Sequence, residues 1–193
     1  MRFRLFVLGT LLTAAAAANP LTVTVSGVGS GSLGAKPFTA AQFTVTLTSD
    51  TTAAMMPPCC NTYDLPANSP ATVTVQGLGT GTIMDNQTVF VAPDDSLIGL
   101  GHFNGGGPDL VGLVNPALRG YKFGTSIGPL TGTPDFVGSC PGVDCGGLQT
   151  SAGLFNFSSV STVTFQVTVG SAPPPGPAIT KIVDSAASNT RFA

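Results

Sequence analysis

The stretch Leu21–Leu33, LTVTVSGVGSGSL, and its near-copy Ala71–Ile83, ATVTVQGLGTGTI, align without a gap and share T-V-T-V-x-G-x-G-x-G. Strict alternation puts Val23, Val25, Gly27, Gly29, Gly31 and Leu33 on one face, matched in the copy by Val73, Val75, Gly77, Gly79, Gly81 and Ile83. Thr, Ser and Gln dominate the other face. A period of two is that of a half-buried strand, because successive side chains point to opposite faces; an amphipathic helix repeats at three and four. Glycine weakens a strand interior unless another backbone or a bulky side chain must come close. Three in alternation therefore predict a crowded or bulged section of sheet in each copy.

The first copy also contains G-x-G-x-x-G at Gly29, Gly31 and Gly34. A dinucleotide fingerprint needs a helix after the glycines and an acidic residue roughly 20 positions on, so that a helix N-terminus can hold the pyrophosphate. Here Pro37 stands where that helix should be running, and in the copy Met84 occupies the place of the third glycine. The glycines are read as strand geometry, and no cofactor is expected.

Working outward, each copy precedes another strand-like run, AQFTVTLTSD at 41–50 and QTVFVA at 87–92, so two hairpins are expected. SLIGLGHF (96–103) and GLFNFSSV (153–160) read as further strands, and STVTFQVTVG (161–170) places Val163, Phe165, Val167 and Val169 inward. DLVGLVNPALRGYKF (109–123) has room for a short helix, limited to a turn or two by Pro116. Many short alternating strands between Gly, Pro and Asp turns predict an all-β fold, an antiparallel β-sandwich of the jelly-roll or immunoglobulin-like kind.

The opening MRFRLFVLGTLLTAAAAANP has basic Arg2 and Arg4, an apolar run and a small-residue A-x-A site. It reads as a secretory signal peptide over 1–18. Residues 19–170 then form the sandwich domain, and 171–193 a Pro-rich linker and tail, for which two readings stay open: it lies loosely on the domain, or it starts a further, truncated domain. The expectation is an exported, extracellular chain with no membrane span in its mature part. Without the signal, Lys36, Arg119, Lys122, Lys181 and Arg191 face nine acidic residues, all Asp. So few scattered cations argue against nucleic acid as a partner. In an exported chain Cys59, Cys60, Cys140 and Cys145 are disulfide candidates, with three pairings open.

SGSLGAKPFTAAQFTVTLTSDT (30–51), ATVTVQGLGTGT (71–82), GGGPDLVGLVNPALRGYKFGTSIGPLTG (105–132) and STVTFQVTV (161–169) occur in this order. In these pieces the chain resembles exported bacterial proteins of unknown function of the PEP-CTERM-associated type. The resemblance covers the body only: the Pro-Glu-Pro sorting tail is absent, and PAITKIVDSAAS resembles the lead-in to a C-terminal domain of other exported bacterial proteins. The resemblance implies export, the missing tail departs from the group's route to the surface, and no catalytic residues come with it.

Three constellations carry candidate chemistry. GTSIG (124–128) fits a G-x-S-x-G elbow with Ser126 as nucleophile, and His102 and Asp109 complete an alternative triad. The elbow needs a strand-to-helix turn in an α/β sheet, which the alternation here does not provide. Asp94, Asp95 and Asp109 are weak Ca²⁺ candidates, although no loop has the dense Asp/Asn spacing that about six to eight oxygen ligands require. Met55, Met56, Cys59 and Cys60 offer soft, copper-type ligands, for which a disulfide beside a proline turn is the simpler use. Aromatic sugar platforms are disfavoured by the absence of Trp and by the placing of most Phe on apolar strand faces. The expectation is a non-catalytic surface or matrix module meeting protein or glycan through loops or a sheet edge, with an exported serine hydrolase using Ser126 and His102 as the rival.

Overall fold

The alternating apolar stripes become the inner faces of two antiparallel sheets in the computed structural model, which describes residues 18–57, 61–102, 109–139 and 147–171. The strands are β1 (Pro20–Leu33), β2 (Lys36–Asp50), β3 (Tyr63–Pro66), β4 (Thr72–Val75), β5 (Gly79–Thr82), β6 (Gln87–Ala92), β7 (Leu97–His102), β8 (Asp109–Val114), β9 (Ile127–Gly132), β10 (Val137–Ser139), β11 (Leu148–Thr150) and β12 (Gly153–Val169). The larger sheet runs β11-β12-β1-β2-β4-β5, with β9 also on β12; the smaller runs β10-β8-β7-β6-β3. Val23, Val25, Val45, Val73 and Phe165 of the first and Leu65, Val89, Ile98, Leu100 and Val111 of the second are fully buried in one core. Each such side chain contributes about 1.5–3 kcal/mol over leaving it in water. The chain is an all-β sandwich, as the alternation predicts.

The first copy of the motif is the centre of this architecture. β1 pairs with β2 on one side and β12 on the other along nearly its whole length. The ladder is irregular against β12 at Val28/Gly29 and Ser30/Gly31. The crowding expected of its glycines is present. A Cβ at Gly27 would lie 2.1 Å from the Thr162 carbonyl oxygen, one at Gly31 2.0 Å from that of Asn156, and one at Gly29 3.0 Å from that of Ser159. The Phe43 and Phe157 rings close over Gly27 and Gly29, with centroids 4.6 Å apart. Gly29 and Gly31 thus lie inside a doubly paired strand and do not form a loop leading into a helix.

The second copy does not form the single strand expected of it. It breaks into β4 and β5, which pair with each other around Gln76-Gly77-Leu78. The Leu78 N–H donates to the Val75 carbonyl (3.1 Å) across a β-turn, and Gly77 and Gly79 take φ of 81° and 106°. That left-handed backbone is one that glycine adopts at no steric cost. The hairpin expected between 71–83 and 87–92 is likewise replaced: the hairpin lies within the copy, and β6 crosses to the smaller sheet.

The two ends of the larger sheet meet. Ile83 bridges Thr150, the Met84 N–H donates to the Gln149 carbonyl (2.8 Å) and the Ser151 N–H to the Thr82 carbonyl (2.8 Å). The Asp85 carboxylate accepts from the Gln149 N–H (2.7 Å) and the Ser151 hydroxyl from the Thr82 N–H (2.9 Å). This seam occupies part of the edge that β5 would otherwise expose.

Two smaller readings are also revised. Residues 153–169 form one long strand where two were expected. The segment at 109–123 is a strand followed by a single 3-10 turn, Pro116–Leu118, capped by Asn115 Oδ1 accepting from the Ala117 N–H (3.0 Å). Leu110 to Leu113 are buried on both faces of this strand, and in such a run strand and helix look alike. Among the described residues no helix is long and apolar enough to cross a membrane. The segment read as a signal peptide, up to residue 17, all four cysteines and the tail from residue 172 lie outside the described residues.

Candidate functional site

After the 3-10 turn, Gly120 (φ 73°) redirects the chain and Tyr121 packs inward, its hydroxyl donating to the Thr125 carbonyl (2.7 Å). Burial pushes the Tyr121 phenol well above its ordinary range. Lys122 lies 5.2 Å from the centre of the Tyr63 ring, a cation–π contact that joins this loop to the smaller sheet. So clamped, the loop delivers Ser126 to the larger sheet, where its Oγ accepts the Val169 N–H (2.9 Å) near the end of β12. His102 ends β7, paired with Gln87, and Asp109 begins β8 opposite Ser139, both in the smaller sheet. The structure therefore brings His102 and Asp109 to adjacent strands and gives Ser126 a hydrogen bond in the other sheet.

Asp94 and Asp95 sit in the turn between β6 and β7, where the Asp94 carboxylate accepts from the Asn61 amide. Asp109 stands at the opposite end of β8 from the row that adjoins this turn, about 17 Å away at roughly 3.4 Å per residue. Among the described residues no three His, Cys, Asp or Glu side chains gather as metal ligands would. Met55 and Met56 are exposed, and the Met55 backbone bridges Asp64.

A constellation the sequence reading missed lies on the outer face of the smaller sheet. Leu65, Val89, Val91, Ile98 and Leu100 point into the core, so the residues between them point out. One outward row crosses four strands through consecutive register partners: Asp64, Phe90, Gly99 and Gly112. Phe136 is added by backbone bonds between the 135–136 segment and Gly112 (2.9 and 3.3 Å).

The glycines are a floor for the rings. A Cβ at Gly99 would come within 2.3 Å of Phe90 and 3.0 Å of Phe136, and one at Gly112 within 2.2 Å of Phe136. With no side chain beneath them, the two rings settle against the sheet within 8° of parallel, centroids 6.2 Å apart. Both are half-buried. Beside Phe90, partial burial holds the Asp64 carboxyl above its ordinary pKa, and no described donor hydrogen-bonds it. The row offers parallel aromatic surface next to an acceptor with unused capacity. Paired glycines inside SLIGLGHF and DLVGLV were the available signal, since an interior strand glycine marks a close approach. No protein family model, curated protein or solved structure matches the chain.

Proposed function

We propose that this chain is an exported, non-catalytic β-sandwich module that contacts glycan at the cell surface or in the extracellular matrix through the outer face of its smaller sheet. The observation that carries this reading is the near-parallel Phe90–Phe136 pair on its glycine floor beside Asp64. The negative face of an aromatic ring attracts the polarised C–H groups of a sugar, as it attracts cations. An unpaired carboxylate accepts sugar hydroxyls in charge-assisted hydrogen bonds. The rigid strands beneath hold these groups in place before the ligand arrives, so little ordering cost opposes binding.

The few charges of the chain fit a neutral polysaccharide better than a polyelectrolyte. The serine of GTSIG has a structural use in this account, receiving the Val169 N–H. The test is a glycan array followed by calorimetry on any hit, with Phe90→Ala, Phe136→Ala and Ser126→Ala compared at equal folded fraction. Binding is expected to fall at least tenfold in both Phe variants and to persist in the Ser variant. An ester or peptide hydrolysis activity abolished by Ser126→Ala would replace the binding-module reading with the hydrolase.

A further inference from the structure

Phe90 and Phe136 reach towards each other from opposite sides of β7. Phe90 stands on β6, which pairs with β7, and Phe136 on the segment bonded to β8, which pairs with β7 on its far side. A Cβ at Gly99, within β7, would lie 2.3 Å from Phe90 Cζ and 3.0 Å from Phe136 Cζ. Cζ is the tip of a phenylalanine, so the two rings meet tip to tip above this one glycine. The atoms nearest a Cβ at Gly112 are Cε1, Cζ and Cδ1 of Phe136, at 2.2, 2.5 and 2.9 Å, so that ring lies over Gly112 along one whole side. Rings that lean over bare backbone, meet at their tips and stay within 8° of parallel form one strip. The strip runs across the strands, along the direction of their hydrogen bonds.

Gly99 and Gly112 close one face of the strip, and both phenylalanines keep partial exposure, so the opposite face is the one open to a ligand. Asp64 is the register partner of Phe90 and shares its side of the sheet, where directly opposed Cβ atoms stand about 4.5–5.5 Å apart. Its side chain is partly exposed as well, and it belongs to the Phe90 end alone. The register positions between Phe90 and Phe136 are the two glycines, so the remainder of the strip is purely aromatic.

Resting on the glycan reading, we propose that the strip takes two consecutive residues of a β-1,4-linked glycan of all-equatorial sugars, one on each ring, with Asp64 accepting a hydroxyl of the residue over Phe90. Such a sugar carries its axial C–H groups on its two flat faces, and these are the groups an aromatic face attracts. A link that is equatorial at both ends keeps neighbouring rings in one extended ribbon, so both offer a flat face to one plane. An α-1,4 link is axial at one end and turns the next ring out of that plane, so an α-glucan seats one residue only. The centroid separation of 6.2 Å is of the order of one hexose residue, so neighbouring residues rather than alternate ones occupy the two rings.

The test is calorimetry on the purified chain with cellobiose, cellotetraose and maltotetraose. Cellobiose and cellotetraose are expected to bind within about threefold of each other, because two residues fill the strip and the longer chain adds only further registers. Maltotetraose forfeits one stacking contact and should bind about tenfold more weakly than cellotetraose, a ratio that the parent chain alone reports. Phe136→Leu keeps apolar cover over Gly112 without the ring. At equal folded fraction it should bring cellotetraose down to the level of maltotetraose and leave maltotetraose unchanged, since Phe90 and Asp64 are intact. Phe90→Leu should weaken both.

Equal affinity for cellotetraose and maltotetraose, cellotetraose binding more than about tenfold tighter than cellobiose, or cellotetraose binding untouched by Phe136→Leu overturns the two-residue ribbon. Silence with all three sugars while another neutral glycan binds in a Phe90-dependent way overturns the ribbon and leaves the glycan-binding reading standing. Binding of no glycan, or binding indifferent to both Phe variants, overturns the two together.

Discussion

Thr22–Gly31 and Thr72–Gly81 carry the same alternation of Thr, Val and Gly, yet the first is one strand at the centre of the larger sheet and the second a hairpin at its margin. Neighbours decide the outcome. β1 has a partner on each side, and the carbonyls of β12 lie so close above its glycines that only glycine fits. β4 has β2 on one side and on the other only β5, the strand it folds back into, and β2 is straight for only part of its length: its register against β1 slips between Ala41 and Phe38, with Ala40 at φ 47°. Past Gln42, which accepts the Gln76 N–H (2.8 Å), no straight edge continues for β4 to follow. The chain folds back where Gly77 permits it. One motif thus uses glycine for lack of bulk in one place and for backbone freedom in the other.

Equivalent substitutions in the two copies break this contrast in order of size. Gly27→Ala is expected to lose about 3 kcal/mol or more, because the obstacle is the Thr162 backbone backed by Phe43, and neither can move without opening the sheet. An unfolding free energy from urea titration within about 1 kcal/mol of the parent would show that the strand accommodates bulk after all.

Gly81→Ala meets a side chain instead, Thr150 Oγ1 at 2.9 Å, and should cost about 1–2 kcal/mol. A double-mutant cycle with Thr150→Ala should recover about 1 kcal/mol of it; a coupling of zero would remove Thr150 as the cause. Gly77→Ala meets nothing within 4 Å and loses only about 1 kcal/mol to its positive φ, while Gly77→Asn, which tolerates that backbone, should lose a few tenths. Equal losses for Ala and Asn at position 77 would contradict the turn assignment.

A control outside both copies gives the smallest effect. Partial burial raises the Asp64 pKa above 3.8, so the folded chain favours the protonated form. The associated stability is present below pH 3.8 and lost as pH rises through the raised value, a small term because the group is partly solvated. Asp64→Asn should therefore be slightly more stable than the parent at neutral pH and indistinguishable from it below about pH 3, as followed by thermal melts across pH.

The sheet class was legible because it depends on a period of two, which Val23, Val25, Phe165 and Val167 show without ambiguity. The fate of the second copy was not, because the kink at Ala40 that ends its ladder lies in another part of the chain. β8 was hidden by its continuous apolar run. The outer row failed to show for a related reason: Phe90 and Phe136 are joined only by register across three strands, and the glycines beneath them resemble ordinary turn formers.

The pairing of β1 with β12 joins nearly the first described residue to nearly the last, Leu21 to Val169. A ribosome delivers β1 early and its second neighbour only at the end of the domain, so during synthesis the central strand has β2 beside it and an unpaired edge on the other side. Closure of the larger sheet must wait for a contact of very long sequence separation, the kind that slows folding. The chain should accordingly remain open and threadable while it is being made, and acquire its core in one late step when the last strand arrives.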